Sequence, residues 1–170
     1  MEYYKSLVLR IAIPFILSYE LIQKVSFYLT INSSKLILSI LSKDTFLIWN
    51  FISYKETFVK FIPACSASSA YFLLLLLIVF TKDIKLKKGI KIFLIGSLII
   101  FLVNAIRIII LILILENNSY KLFSSIHSFF WIFVASILVA VIWIGFTRRY
   151  RIKSVPIYTD LKYLLKKIKV

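Results

Sequence analysis

Three side chains with the chemistry for acyl transfer stand out because they are solitary. Cys65 is the only cysteine and His127 the only histidine. Arg107 is the single charge in residues 92–115, IFLIGSLIIFLVNAIRIIILILIL, a run long enough to cross a bilayer as a helix. A central arginine costs about 3 kcal/mol on insertion scales. Arg107 lies roughly 12 Å from the Leu115 end at helical rise, so snorkelling relieves only part of that cost. Asn104, three residues earlier, shares its helix face. The default reading of such an arginine is a functional group with its partner on another helix. The plainer one is a structural arginine paired with a backbone carbonyl or with Glu20.

The elements that must position these residues follow from composition and pattern. Apolar residues make up 61% of the chain and charged ones 17%, which points to one integral membrane domain over residues 1–170. The net charge of +15 lies largely in two blocks beside hydrophobic runs. That placement reads as topology and contact with membrane lipids, not as nucleic-acid binding. Residues 6–27 read as a first span, interrupted by Arg10, Glu20 and Lys24, the last two a candidate i, i+4 pair. Residues 28–42 suit an amphipathic helix at the outer surface. Residues 45–62 suit a short β-hairpin or extended segment. Pro63 closes that segment, and spans follow at 64–80, 92–115 and 127–147. The tail 148–170 is basic, and its end has the pattern of a surface amphipathic helix. The expectation is an all-α polytopic membrane protein with about four transmembrane helices. The positive-inside rule places the 81–91 loop, the tail and both termini in the cytoplasm.

In this topology Cys65 and His127 each open a span, and Arg107 lies on the helix between them, all near the outer face. A cysteine at a helix N-terminus has its thiolate favoured by the dipole. A guanidinium stabilises the thiolate or an oxyanion. A histidine within reach serves as base and then acid. Ser68, Ser69 and Asn104 are positioned to support them. Each residue also has an ordinary role: Cys65 as a small buried hydrophobe, His127 as an interfacial anchor, and Asn104 and the serines as helix-packing residues. One cysteine and one histidine exclude a disulfide within the chain and a Cys-based zinc site. No metal or organic cofactor is implied.

Ala64-Cys65-Ser66-Ala67-Ser68, then Asn104-Ala105-Ile106-Arg107-Ile108, then His127, resembles the exosortase/archaeosortase family of prokaryotic membrane proteins. The resemblance covers roughly residues 28–147. It implies a cysteine transpeptidase or peptidase that cuts the C-terminal sorting signals of secreted proteins (a short motif, a hydrophobic helix and a basic tail) at the outer face of the cell membrane. The product passes to a surface acceptor, such as a glycan or lipid amine, or to water. Carried over by position, Cys65 is the nucleophile, Arg107 the thiolate or oxyanion stabiliser and His127 the acid/base. The chain departs from the family pattern at Ala67, where a glycine is common, and it resembles a minimal core. A different class of reading is a small non-catalytic scaffold or assembly subunit that uses Arg107 and Asn104 for helix association. A transporter component is disfavoured by the single intramembrane charge and the absence of an evident broken-helix pair.

Overall fold

The computed structural model describes residues 2–82, 84–117, 119–130 and 135–168. It is mostly helical, with one small sheet. Helix α1 (Glu2–Ile16) contains Pro14, and the chain breaks at Leu17–Ser18. Ser18 then caps α2 (Tyr19–Leu41), its Oγ accepting from Leu21 N at 3.3 Å. The expected first span 6–27 is therefore two helices. The polar run Asn32-Ser33-Ser34-Lys35 does not interrupt α2. Asn32 and Ser33 donate back to the carbonyls of Tyr28 and Leu29 at 2.8 and 2.7 Å, so these side chains join the helical hydrogen bonding. Glu20 and Lys24 are both exposed and form no ion pair.

Strands β1 (Thr45–Ile48), β2 (Phe51–Tyr54) and β3 (Thr57–Lys60) form an antiparallel meander, one strand more than a single hairpin. Two-residue turns connect them, with Trp49 and Lys55 at positive φ. Ile52, Tyr54 and the following Phe61 pack with Ile31 and Leu38 of α2. Ile108 and Ile112 of the long helix complete this cluster, and Cys65 lies partly buried against it. The turn at Lys55 is tied to the end of that helix, Lys55 Nζ to Glu116 Oε1 at 2.7 Å, and this contact raises the Lys55 pKa.

A 3-10 turn (Pro63–Ser66) leads into α3 (Ser68–Val79), and α4 runs from Leu86 to Glu116. α5 (Tyr120–Phe129), α6 (Ala135–Arg149) and α7 (Tyr158–Ile168) follow. A second core joins α3, α4 and α6 through Tyr71, Leu74, Ile92, Ile100, Val139 and Ile142. At its far end the tail folds back: Ile157 N donates to Phe80 O at 3.0 Å.

Among the described residues, one helix has the length and apolarity to cross a membrane: α4, 31 residues or roughly 46 Å. This replaces the expected four. α3 has 12 residues, about 18 Å, because the 3-10 turn takes the start of the expected 64–80 span. α2 is long, but its polar residues dilute it. The expected 127–147 span begins inside α5, and its residues 131–134 lie outside the described residues.

Candidate functional site

The local sequence bends the chain at Cys65. Ile62, preceding a proline, is extended (φ −112°, ψ 157°), and Pro63 opens the 3-10 turn. Cys65 N donates to Ile62 O at 2.8 Å, and Ser66 Oγ donates to Pro63 O at 2.7 Å. Ala67 then adopts the left-handed conformation (φ 54°, ψ 28°) that re-aims the backbone into α3. Cys65 thus precedes α3 instead of occupying its first turn, and the expected help from the helix dipole is not positioned at the thiol.

Asn104 and Arg107 project from one face of α4, both buried (4% and 5% exposed). Asn104 Nδ2 donates to the carbonyl oxygen of Cys65 at 2.9 Å, and Arg107 Nη2 donates to the same oxygen at 3.2 Å. The arginine's hydrogen-bond partner is therefore a backbone carbonyl, not Glu20, which is exposed. Burial raises the pKa of the partly buried thiol, and the backbone hydrogen bond with Ile62 and the Arg107 charge offset only part of that rise.

His127 does not begin a span. It lies in the last turn of α5 as the final rung of an aromatic stack, Tyr120 on Phe123 at 6.2 Å and Phe123 on His127 at 5.7 Å. Burial lowers the His127 pKa, and the Arg107 charge acts in the same direction. No hydrogen bond joins His127 to Cys65 or Arg107. Arg107 Nε and His127 Nδ1 are buried and have no hydrogen-bond partner among the described residues. A cavity of about 20 Å³, room for about one water-sized group, adjoins Asn104, Arg107, Ala67 and Phe130.

Ser68 and Ser69 do not join this cluster. Ser68 Oγ is hydrogen-bonded to Tyr19 Oη at 3.1 Å, and Gln23 Nε2 donates to that hydroxyl at 3.3 Å. Ser68 therefore fastens α3 to α2, while Ser69 is exposed. Sequence reasoning missed Tyr19 and Gln23. Their i, i+4 spacing directly after the Ser18 cap was the available signal. Among the described residues no group of three His, Cys, Asp or Glu side chains is placed to hold a metal ion.

The arrangement is a cysteine whose backbone carbonyl is held by two donors from a neighbouring helix, one of them a cation. No protein-family model, curated protein or solved structure matches the chain.

Proposed function

We propose that this chain is a membrane-embedded cysteine peptidase or transpeptidase of the exosortase/archaeosortase kind. One observation carries the reading: Arg107, the single charge in the apolar 92–115 run of the one described helix with the length and apolarity to cross a membrane, donates to the backbone of the only cysteine, 42 residues away in sequence. Arg107 Nε and His127 Nδ1, unpartnered among the described residues, add support, because buried polar atoms left unpaired call for a ligand or a reacting group. The membrane setting is supported by α4's outward stripe, Leu94, Leu98, Leu102 and Ile106, each more than half exposed.

In this reading α4 crosses the cell membrane with Glu116 outward and its basic first turns, Lys87, Lys88 and Lys91, at the cytoplasmic side. The substrate is the C-terminal sorting signal of a secreted protein. Its hydrophobic helix lies in the apolar cleft of about 560 Å³ between α2 and α4. Phe101, at one end of that cleft, is one helical turn from Asn104. His127 takes the Cys65 thiol proton as the sulfur attacks the scissile carbonyl carbon, and Arg107 stabilises the oxyanion. The C–N bond breaks as His127 passes a proton to the leaving amine. A surface amine or water then attacks the thioester and releases Cys65 as thiolate.

The scaffold reading has its own observation. A clamp on a backbone carbonyl is also what a purely structural arginine would make. The two separate on Cys65. Incubation with a secreted reporter bearing a tripartite signal should yield a hydroxylamine-sensitive adduct on Cys65 and a shortened product, both abolished by Cys65→Ala. Processing that survives Cys65→Ala refutes the peptidase reading.

A further inference from the structure

We propose that a cavity at the opposite end of the molecule binds the phosphate of an anionic phospholipid headgroup. It lies between the start of α4 and the α6–α7 connector, encloses about 250 Å³ and is lined by Ile84, Lys88, Tyr150, Arg151, Ile152 and Lys153. Three of the six are cations, and among the described residues no carboxylate lines it. Nearby cations are differently placed: Arg10 is ion-paired with Asp160, and Lys82 lies over the Tyr163 ring at 4.2 Å. Lys88, Arg151 and Lys153 are exposed and make no ion pair among the described residues. Three like charges around one cavity repel each other unless an anion joins them.

The backbone is shaped to hold this convergence. Arg151 N donates to Arg148 O at 3.2 Å and Ile152 N to Thr147 O at 2.9 Å, the bonding pattern of a Schellman close to α6. That motif needs a left-handed residue, and here it is Arg151, φ 51°, where glycine has no steric cost. The turn returns residues 150–153 toward Lys88. The first turn of α4 adds partial positive charge, since Lys85 supplies no side-chain cap.

A lipid is favoured over a free phosphate by what adjoins the cavity. Ile84 of this cavity also lines the neighbouring apolar cleft, where Leu86 and Ile90, 66% and 52% exposed, begin the outward apolar stripe of α4. A phosphate among the cations with acyl chains along that stripe satisfies both surfaces. The inference rests on the membrane reading of α4 and is independent of the cysteine chemistry.

The test uses the full chain in non-ionic detergent, with fluorescent short-chain phosphatidylglycerol and phosphatidylcholine as probes and glycerol 3-phosphate as competitor. Phosphatidylglycerol should bind more tightly. Lys88→Gln and Lys153→Gln should each weaken it about fivefold, and the triple variant with Arg151→Gln on the order of a hundredfold. Phosphatidylcholine binding should not change. Arg151→Gly should raise the thermal midpoint while weakening phosphatidylglycerol, a divergence that a merely structural Arg151 does not produce. Equal binding of the two lipids, or a triple variant that keeps the preference, overturns the proposal. Glycerol 3-phosphate binding as tightly as the lipid overturns the lipid assignment. Cys65→Ala should bind phosphatidylglycerol like wild type, so loss of processing and loss of lipid binding report on separate claims.

Discussion

Asn104 of α4 donates to the carbonyl oxygen of Cys65 at 2.9 Å, joining the middle of the apolar helix to the turn that carries the only thiol. Arg107 reaches the same oxygen, so this one acceptor aligns two helical turns of α4 against the 63–66 segment. Asn104→Ala removes a buried donor and leaves the acceptor to Arg107 alone. It should cost about 1–3 kcal/mol, seen as a lower thermal midpoint in detergent. An unchanged midpoint would mean that the contact contributes nothing to holding the turn.

Ala67 holds a left-handed conformation one residue before α3, at the position where the resembled family commonly carries glycine. A Cβ in that region costs roughly 1–2 kcal/mol, partly offset by the lower unfolded-state entropy of alanine. Ala67→Gly should therefore stabilise the fold by about 1 kcal/mol, and Ala67→Val should destabilise it. Chemical denaturation of the three proteins ranks them; a less stable glycine variant would place the strain elsewhere.

Gly96 lies where α4 meets α3 and α6. A Cβ there would stand 2.5 Å from Leu74 Cδ2 and 3.3 Å from Ile142 Cγ2, and Leu74 is fully buried with little room to yield. Gly96→Ala should cost about 1–3 kcal/mol by overpacking. Gly145 on α6 meets nothing within 4 Å, so Gly145→Ala should be neutral or stabilising by up to about 1 kcal/mol through helix propensity. Parallel thermal melts decide, and equal effects at the two sites would contradict the packing described.

Arg10 and Asp160 form a two-point ion pair, Nη1 to Oδ2 at 3.0 Å and Nη2 to Oδ1 at 3.2 Å, across 150 residues. Both side chains are nearly nine-tenths buried, so removing one leaves the other poorly solvated. Arg10→Ala should destabilise by about 1–3 kcal/mol. The double variant Arg10→Met, Asp160→Leu should recover part of that loss. Limited proteolysis should release α7 faster in the single variant than in the double; the reverse order would contradict the tether.

How far the sequence could be read depended on whether a signal was local. The 92–115 run stands out because only Ser97, Asn104 and Arg107 break its apolar pattern, and α4 covers it. The alternation over residues 58–62 and the polar tetrapeptide Ser53–Glu56 point to a hairpin or extended segment, and the turn between β2 and β3 falls in the second half of that tetrapeptide, at Lys55–Glu56. The break between α1 and α2 was legible in principle, since Pro14 and a capping Ser18 are both present, but the apolar stretch across them hid it. The continuity of α2 through Asn32 and Ser33 was not: side chains that usually end helices bond back to the preceding turn instead. The apolarity of residues 127–147 suggests a helix start at His127, whereas His127 lies in the last turn of α5, stacked on Phe123. The Arg10–Asp160 pair and the shared Cys65 carbonyl are long-range contacts with no local signature.

The central claim is that Arg107 acts on a nucleophilic Cys65 at the outer face. The direct measurement is alkylation of Cys65 in sealed membranes by an impermeant thiol reagent, as a function of pH, in wild type, Arg107→Ala and Asn104→Ala. Asn104→Ala loosens the turn but keeps the charge; Arg107→Ala removes both the charge and one clamp bond. The account predicts labelling from outside, a thiolate that forms at higher pH in Arg107→Ala, and a titration in Asn104→Ala close to wild type. Labelling only from the cytoplasmic side, or the same titration in all three proteins, would contradict it and leave the clamp as a structural feature of a non-catalytic membrane subunit.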